Sequence, residues 1–294
     1  MSQATFSSIG RRDLLKASTA GALFMGLQGC SVFSGMMGKK KPGIALQLYS
    51  VRNDCAKDFD KALAQVAEMG FDAVEFAGYH NYKDDAKALR ARLDELGLKV
   101  AGTHIGTNTL TKDKIAQTID FHQTIGCKYL IVPGDGRFSK PEGSKELAEI
   151  FNEAAHTLEP LGMYCGYHNH THEFKKEGDK TYWDLFAERT CSDVVLQQDV
   201  GWTAYAGLDP VVFIRKYPGR SKIIHCKPTL VKGAQGRPII GEDSVKWAEV
   251  FQACEDVGGT EWYTIEQEKY LPDTSPMDCV KLSLAGMQAI LAQA

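Results

Sequence analysis

A repeated cycle runs through the chain: a short apolar stretch, an amphipathic helix, then a glycine. Apolar runs at 44–49, 73–76, 99–103, 129–132, 163–167, 194–198, 222–224 and 262–265 carry the β-branched and aromatic residues that suit buried strands. Helical periodicity fills 59–69, 83–96, 112–125 and 142–161 between them, and 277–292 after the last. Gly70, Gly97, Gly126, Gly162 and the pair Gly258-Gly259 stand where helices should stop, because glycine accepts the left-handed turn that ends a helix. Strands joined through helices pair in parallel. About eight such units over roughly 250 residues predict an α/β chain closed into a (β/α)8 TIM barrel, one domain over residues 42–294. No G-x-G-x-x-G opens the first helix, which argues against a dinucleotide-binding open sheet. The stretch 227–243 exceeds an ordinary barrel loop and is expected to serve as a lid or substrate loop.

Ahead of the barrel, Arg11 and Arg12 precede a modest apolar run over 17–27. That run is too short and too rich in small residues to span a bilayer, but it suits the apolar part of an export signal. The pattern resembles a twin-arginine signal, which directs folded proteins out of the cytoplasm. Leu27-Gln28-Gly29-Cys30 reads as a lipobox, with Gln28 in place of the usual small residue and Cys30 as the lipidated position. Residues 1–30 are therefore expected to be an export signal, 31–41 a linker, and the protein periplasmic or in the cell envelope, with a membrane tether through Cys30. The net charge of -3 leaves no basic footprint, so nucleic acid is not expected as a partner. The eight cysteines are scattered without a C-x-x-C pair, and Cys165 and Cys226 lie in apolar runs, so buried, inert thiols are expected.

In a barrel of this kind the active site forms at the carboxyl ends of the strands. The polar residues found there are Gln47, Glu75, His104, Asp135, His168 with His170, Asp199, His225 with Lys227, and Glu266 with Glu268. Side chains alternate along a strand, so His168 and His170 share a face, as do His225 and Lys227, and Glu266 and Glu268. Histidine, aspartate and glutamate without paired cysteines predict one divalent metal ion with nitrogen and oxygen ligands: Mn2+, Mg2+, Co2+ or Zn2+.

Several segments then fall into a familiar order. Tyr167-His168-Asn169-His170, Glu173-Phe174, Asp199-Val200-Gly201-Trp202, His225-Cys226-Lys227, Gly241-Glu242-Asp243 and Glu266-Gln267-Glu268 resemble the xylose-isomerase-like sugar isomerase/epimerase family. The resemblance covers the chain from about Ile44 onwards. It implies a TIM barrel, a small sugar or keto-sugar substrate, and one metal held by His168, Asp199, His225 and Glu266. Histidine at the first of these positions departs from the glutamate common in the epimerases, so either His168 or Glu173 could supply that ligand. Trp202 stands where the nuclease branch of the superfamily places a further histidine, which argues against DNA cleavage.

The chemistry expected is proton abstraction next to a carbonyl through a metal-stabilised ene-diolate, as in a sugar isomerase or epimerase. Glu75, His104, His170 and Lys227 are the candidates for acid–base and orienting roles. Gln47, Glu173, Trp202 and Arg237 are the candidates for substrate binding. Two alternatives stand beside this reading. One is a lyase or dehydratase acting on a 3-keto-glycoside or an inosose-type substrate. The other is a barrel that binds sugar without turning it over.

Overall fold

The computed structural model describes residues 41–293. The expected export signal, linker and Cys30 tether lie outside the described residues, apart from Lys41. Eight parallel strands form the barrel staves: Gly43–Gln47, Ala73–Phe76, Lys99–His104, Tyr129–Val132, Tyr164–His168, Val195–Gln197, Ile223–Cys226 and Trp262–Ile265. They pair in sequence order, and the first also pairs with the last. The main helices covering them are Phe59–Glu68, Ala86–Leu96, Ile115–Thr124, Pro141–Leu158, Tyr182–Arg189, Pro210–Lys216, Trp247–Ala253 and Pro276–Leu291. The predicted element order therefore holds, with ends that move by a few residues. The expected helix at 142–161, for instance, finishes its last turn as a tighter 3-10 segment, Glu159–Leu161, before Gly162. Gly97 (φ 68) and Gly162 (φ 66) do adopt the left-handed conformation that halts their helices. No helix among the described residues is long and apolar enough to cross a membrane.

One joint of the barrel differs from the others. Between the sixth and seventh strands no ladder forms among the described residues, and the ring is nearly rather than fully closed. The joint is made instead by Leu196 N–H to Arg220 C=O (2.9 Å), His225 N–H to Gln198 C=O (2.9 Å) and an isolated parallel bridge between Asp199 and His225.

The core has two layers. Ala45, Ala73, Ala101, Tyr129, Ile131, Val195 and Ile223 fill the inside of the barrel, while a larger cluster packs the outer strand faces against the helices. A strand alternates its faces, so the residue two positions beyond an inward apolar residue also points inward. That rule leads from Ala45 to Gln47, from Ala73 to Glu75, from Val195 to Gln197 and from Ile223 to His225. The third strand breaks it. Its register against the second strand shifts between Val74 and Glu75, so that Glu75 pairs with Gly102 and Ala101 becomes the extra residue. The bulge puts His104 on the inward face and leaves Thr103 to bond the Tyr79 hydroxyl on the outside (2.7 Å).

The long stretch after the seventh strand is anchored to the last helix. Ile239 and Ile240 are buried, Gln267 donates to the Pro238 carbonyl (2.6 Å), and Ser283 bonds Gln267 (2.8 Å). Gly286 presses so closely on the Ile240 carbonyl that any side chain there would collide with it. Six of the seven described cysteines are buried free thiols, as expected, but Cys191 is exposed because it falls in the turn before the sixth strand rather than in an apolar run.

Candidate active site

The strand ends converge. Ligand atoms of His168, Asp199, His225 and Glu266 all lie within 4.8 Å of one another, and all four residues are buried. A second grouping within the same limit joins His104 to His168 and His225. Above them opens a cavity of about 550 Å³ lined by Tyr49, His104, His168, His170, Glu266 and Glu268 among others.

Local structure fixes each member. Asp199 begins the short helix Val200–Tyr205, and its Oδ1 accepts the Trp202 N–H (2.7 Å). Gly201 is required there, because a Cβ would run into the Lys227 carbonyl on the neighbouring strand end. Asn169, just past the fifth strand, accepts the Asp199 N–H (3.0 Å) and so ties two ligand-bearing segments together. The His225 ring spans two carboxylates, with Nε2 at 2.5 Å from Glu75 and Nδ1 at 3.0 Å from Glu266. His104 stacks on that ring, with centroids 5.2 Å apart and planes 18° from parallel. The Lys227 ammonium lies 2.8 Å from Glu268, 3.1 Å from Glu266 and 3.4 Å from Asp199, and 4.7 Å over the Trp202 ring.

Electrostatics follow from burial and from these pairs. Burial opposes a charge on His225, but the carboxylates of Glu75 and Glu266 outweigh it and push the imidazole up to about 10. Burial likewise opposes the Lys227 charge, and Asp199, Glu266 and Glu268 reverse the balance and hold the ammonium protonated. Asp199 goes the other way, pushed up to about 7 by burial against the pull of Lys227. Glu266 stays ionised, because Lys227 and His225 overcome its burial. His168 falls well below the usual imidazole range, first from burial and then from its histidine neighbours. It is therefore neutral, the form in which imidazole ligates a metal.

The residues fit a divalent ion on an independent observation. Asp199 Oδ2 and His168 Nδ1 are buried without a hydrogen-bond partner, and the nearest cation to that oxygen, the Lys227 ammonium, stands back at 3.4 Å. Buried polar atoms without a hydrogen bond are rare in folded proteins, and an ion among these side chains would satisfy the carboxylate oxygen. Glu75 would orient His225 by holding Nε2, and an ion would take the place of the proton that Nδ1 shares with Glu266.

The remaining sequence candidates separate into three groups. Glu75, His104, His170 and Lys227 surround the cluster or its cavity. Gln47 is buried with Oε1 on the Tyr49 N–H and Nε2 unpartnered, and Trp202 packs 5.6 Å from His170 with its indole N–H unpartnered. Glu173 stays outside the cluster: its carboxylate accepts the His170 N–H (2.8 Å) and pairs with His172 (3.0 Å). His168, not Glu173, is thus the residue of the fifth-strand region that joins the grouping. Arg237 is half-exposed and bonded to Glu242 on its own loop. Asp135 is engaged by Arg137, which with Thr107 holds its carboxyl at about 2, below the usual carboxylate range. One buried polar side chain was not anticipated from the sequence, Gln197, which links Glu75 (2.7 Å) to His104 (3.0 Å). Its signal was present: it lies two residues before Asp199 and so shares that inward face.

The family model described as xylose isomerase-like TIM barrel matches residues 63–285. The chain belongs to the xylose isomerase-like TIM barrel family. Among curated members, an inosose dehydratase from Geobacillus kaustophilus is 27% identical over 192 residues, which is 57% of this chain and 61% of that one. The chain thus spans about three fifths of the length of that relative. An inosose dehydratase from Clostridium botulinum is 24% identical over 277 residues, 80% of this chain and 90% of that one. Among solved structures, a sugar phosphate isomerase/epimerase from Parabacteroides distasonis superposes with a TM-score of 0.69 at 25% identity, covering 86% of this chain and 99% of that one. L-ribulose 3-epimerase shares the xylose isomerase-like fold, with a TM-score of 0.62 at 16% identity over 86% of this chain and 97% of that one.

Proposed function

We propose that this chain is a metal-dependent carbon–oxygen lyase acting on a small keto-sugar or inosose. The observation that carries this reading is the unequal chemistry of the mouth. His104 and His168 end the third and fifth strands, while Glu266 and Glu268 follow the eighth, across the ring. Epimerisation asks for two groups on opposite faces of one carbon, one taking the proton and the other returning one. Elimination asks for a base on the carbon acid and a different group to protonate the departing oxygen. Neutral imidazoles facing carboxylates and an ammonium suit the second. A divalent ion (Mn2+, Mg2+, Co2+ or Zn2+) held by His168, Asp199, His225 and Glu266 would polarise the substrate carbonyl and stabilise the charge of the ene-diolate.

Within that scheme His104 or His170 takes the proton, both being held neutral mainly by burial. Lys227 faces the oxygen that gains charge, and Glu75 keeps His225 in place. Gln47, Trp202 and Tyr49 position the sugar, and Glu173 supports the His170 backbone. The curated inosose dehydratases agree with this reading. The structural likeness to a protein called a sugar phosphate isomerase/epimerase favours a second reading, isomerisation of a keto-sugar at the same site.

The two are told apart by incubating metal-loaded protein with inososes and keto-sugars in heavy water and weighing the products. A product lighter by one water supports elimination. A product of unchanged connectivity carrying one deuterium supports isomerisation. Binding with neither outcome would leave a sugar-binding barrel.

We further propose that the reaction takes place outside the cytoplasm, on the strength of the paired arginines, the apolar run after them and Cys30. Cell fractionation checks this, with full-length protein expected in the envelope fraction. Recovery of the unaltered protein in the cytoplasm would count against export, and envelope recovery that persists when Arg11 and Arg12 are both changed to lysine would count against the twin-arginine route.

A further inference from the structure

Gln197 ends the sixth strand with its side chain inside the barrel, fully buried. Its Nε2 lies 2.7 Å from Glu75 Oε1, and its Oε1 lies 3.0 Å from His104 Nε2. The two ends of this amide cannot be exchanged. A carboxylate only accepts, so the NH2 group must face Glu75, and the carbonyl oxygen must then face His104. A carbonyl also only accepts. The hydrogen between them therefore sits on His104 Nε2, and in the neutral ring Nδ1 carries the lone pair.

The rest of the surroundings agree. The bond to Gln197 is the one hydrogen bond of the His104 ring among the described residues, so no protein group competes for Nδ1. The other acceptor near Nε2 is Glu75 Oε1 at 3.5 Å, too far to lock the ring and already engaged by Gln197. The ring is clamped between its stack on His225 and a tilted contact with His168, both at 5.2 Å, and it lines the cavity.

We propose that Gln197 is a positioning residue that fixes His104 as the Nε2–H tautomer, making Nδ1 the atom that accepts a proton from a molecule in the cavity. The tautomer follows from the hydrogen bonds alone. The use of Nδ1 rests on the elimination reading, in which the carbon–hydrogen bond of the substrate breaks, its electron pair enters the ene-diolate and the proton moves to Nδ1.

The test is nitrogen-15 NMR of histidine side chains in the full barrel, kept free of paramagnetic ions, with the His104 signals assigned by their loss in His104→Gln. The wild type is expected to show a protonated Nε2 and a bare Nδ1. Gln197→Glu, which still offers the ring an acceptor oxygen, is expected to keep that pattern. Gln197→Leu is expected to show both tautomers in exchange, with kcat lowered about tenfold to a hundredfold, as for loss of a group that orients a functional histidine, and KM little changed. A protonated Nδ1 in the wild type, or an unchanged tautomer in Gln197→Leu, would overturn the assignment. Mixed tautomers with undiminished kcat would overturn the catalytic use of Nδ1 while leaving the tautomer lock and the elimination reading standing.

Discussion

Asp199→Asn is expected to lower turnover by about three orders of magnitude, because it removes an anionic ligand and with it several kcal/mol of transition-state stabilisation. The same variant should lose the tightly bound divalent ion that elemental analysis is expected to find in the wild type at one per chain. The reason is specific to this carboxylate. Its Oδ1 serves the helix that follows, whereas its Oδ2 is buried without a hydrogen bond. An asparagine can keep the first contact and so preserve the fold, but it brings no anionic oxygen to the second position. Glu266→Gln should behave alike, since it also removes the carboxylate that faces His225 Nδ1. Metal content and kcat at wild-type level in both variants would show that the cluster holds no ion and takes no part in the reaction.

Arg220→Met is expected to destabilise the fold strongly. The Arg220 side chain is buried and donates to the carbonyls of Val194 (2.9 Å) and Ala187 (2.6 Å) and to the Thr190 hydroxyl (2.7 Å). Burial pushes the guanidinium down to about 10, so it remains charged at neutral pH. It spans the end of the helix Tyr182–Arg189 and the start of the sixth strand, while its own carbonyl receives the Leu196 N–H across the unladdered joint. Methionine would fill much of the space but strand two carbonyls. Hydrogen bonds from a charged donor contribute about 1.5–3 kcal/mol each, and stranded acceptors add their desolvation, so a loss of roughly 3–5 kcal/mol is expected. For a barrel of this size that corresponds to a melting temperature lower by about 10 °C, measurable by circular dichroism. A shift of a degree or two would mean that water or neighbouring groups satisfy those carbonyls.

Much of this architecture was legible in the sequence because it is written locally. Strand runs, helix periodicity and stopping glycines each occupy a few adjacent residues, and a parallel barrel is what their order implies. The strand-end ring was legible for the same reason. His168, Asp199, His225 and Glu266 each directly follow or end an apolar run, and the fold gathers such positions at one mouth. What escaped the reading is non-local. Alternation places Gln197 on the inward face with Asp199, but its partners Glu75 and His104 lie 122 and 93 residues away, and no local pattern names them. The inward turn of His104 depends on a bulge at Ala101, which shows only in the pairing with the second strand. Arg237 is paired on its own loop, with the carboxylate of Glu242 five residues on.

The unladdered joint between the sixth and seventh strands gives the site a mechanical meaning. Asp199 and His225 are the two residues bridged across it, and they belong to the same four-residue grouping. A guest held between them is a rivet through the overlap of a hoop. By mass action, any molecule that binds only the closed ring makes the ring harder to open. Occupancy and structural integrity then become two views of one quantity, and a tight inhibitor of such a site would be at the same time a splint for the protein that carries it.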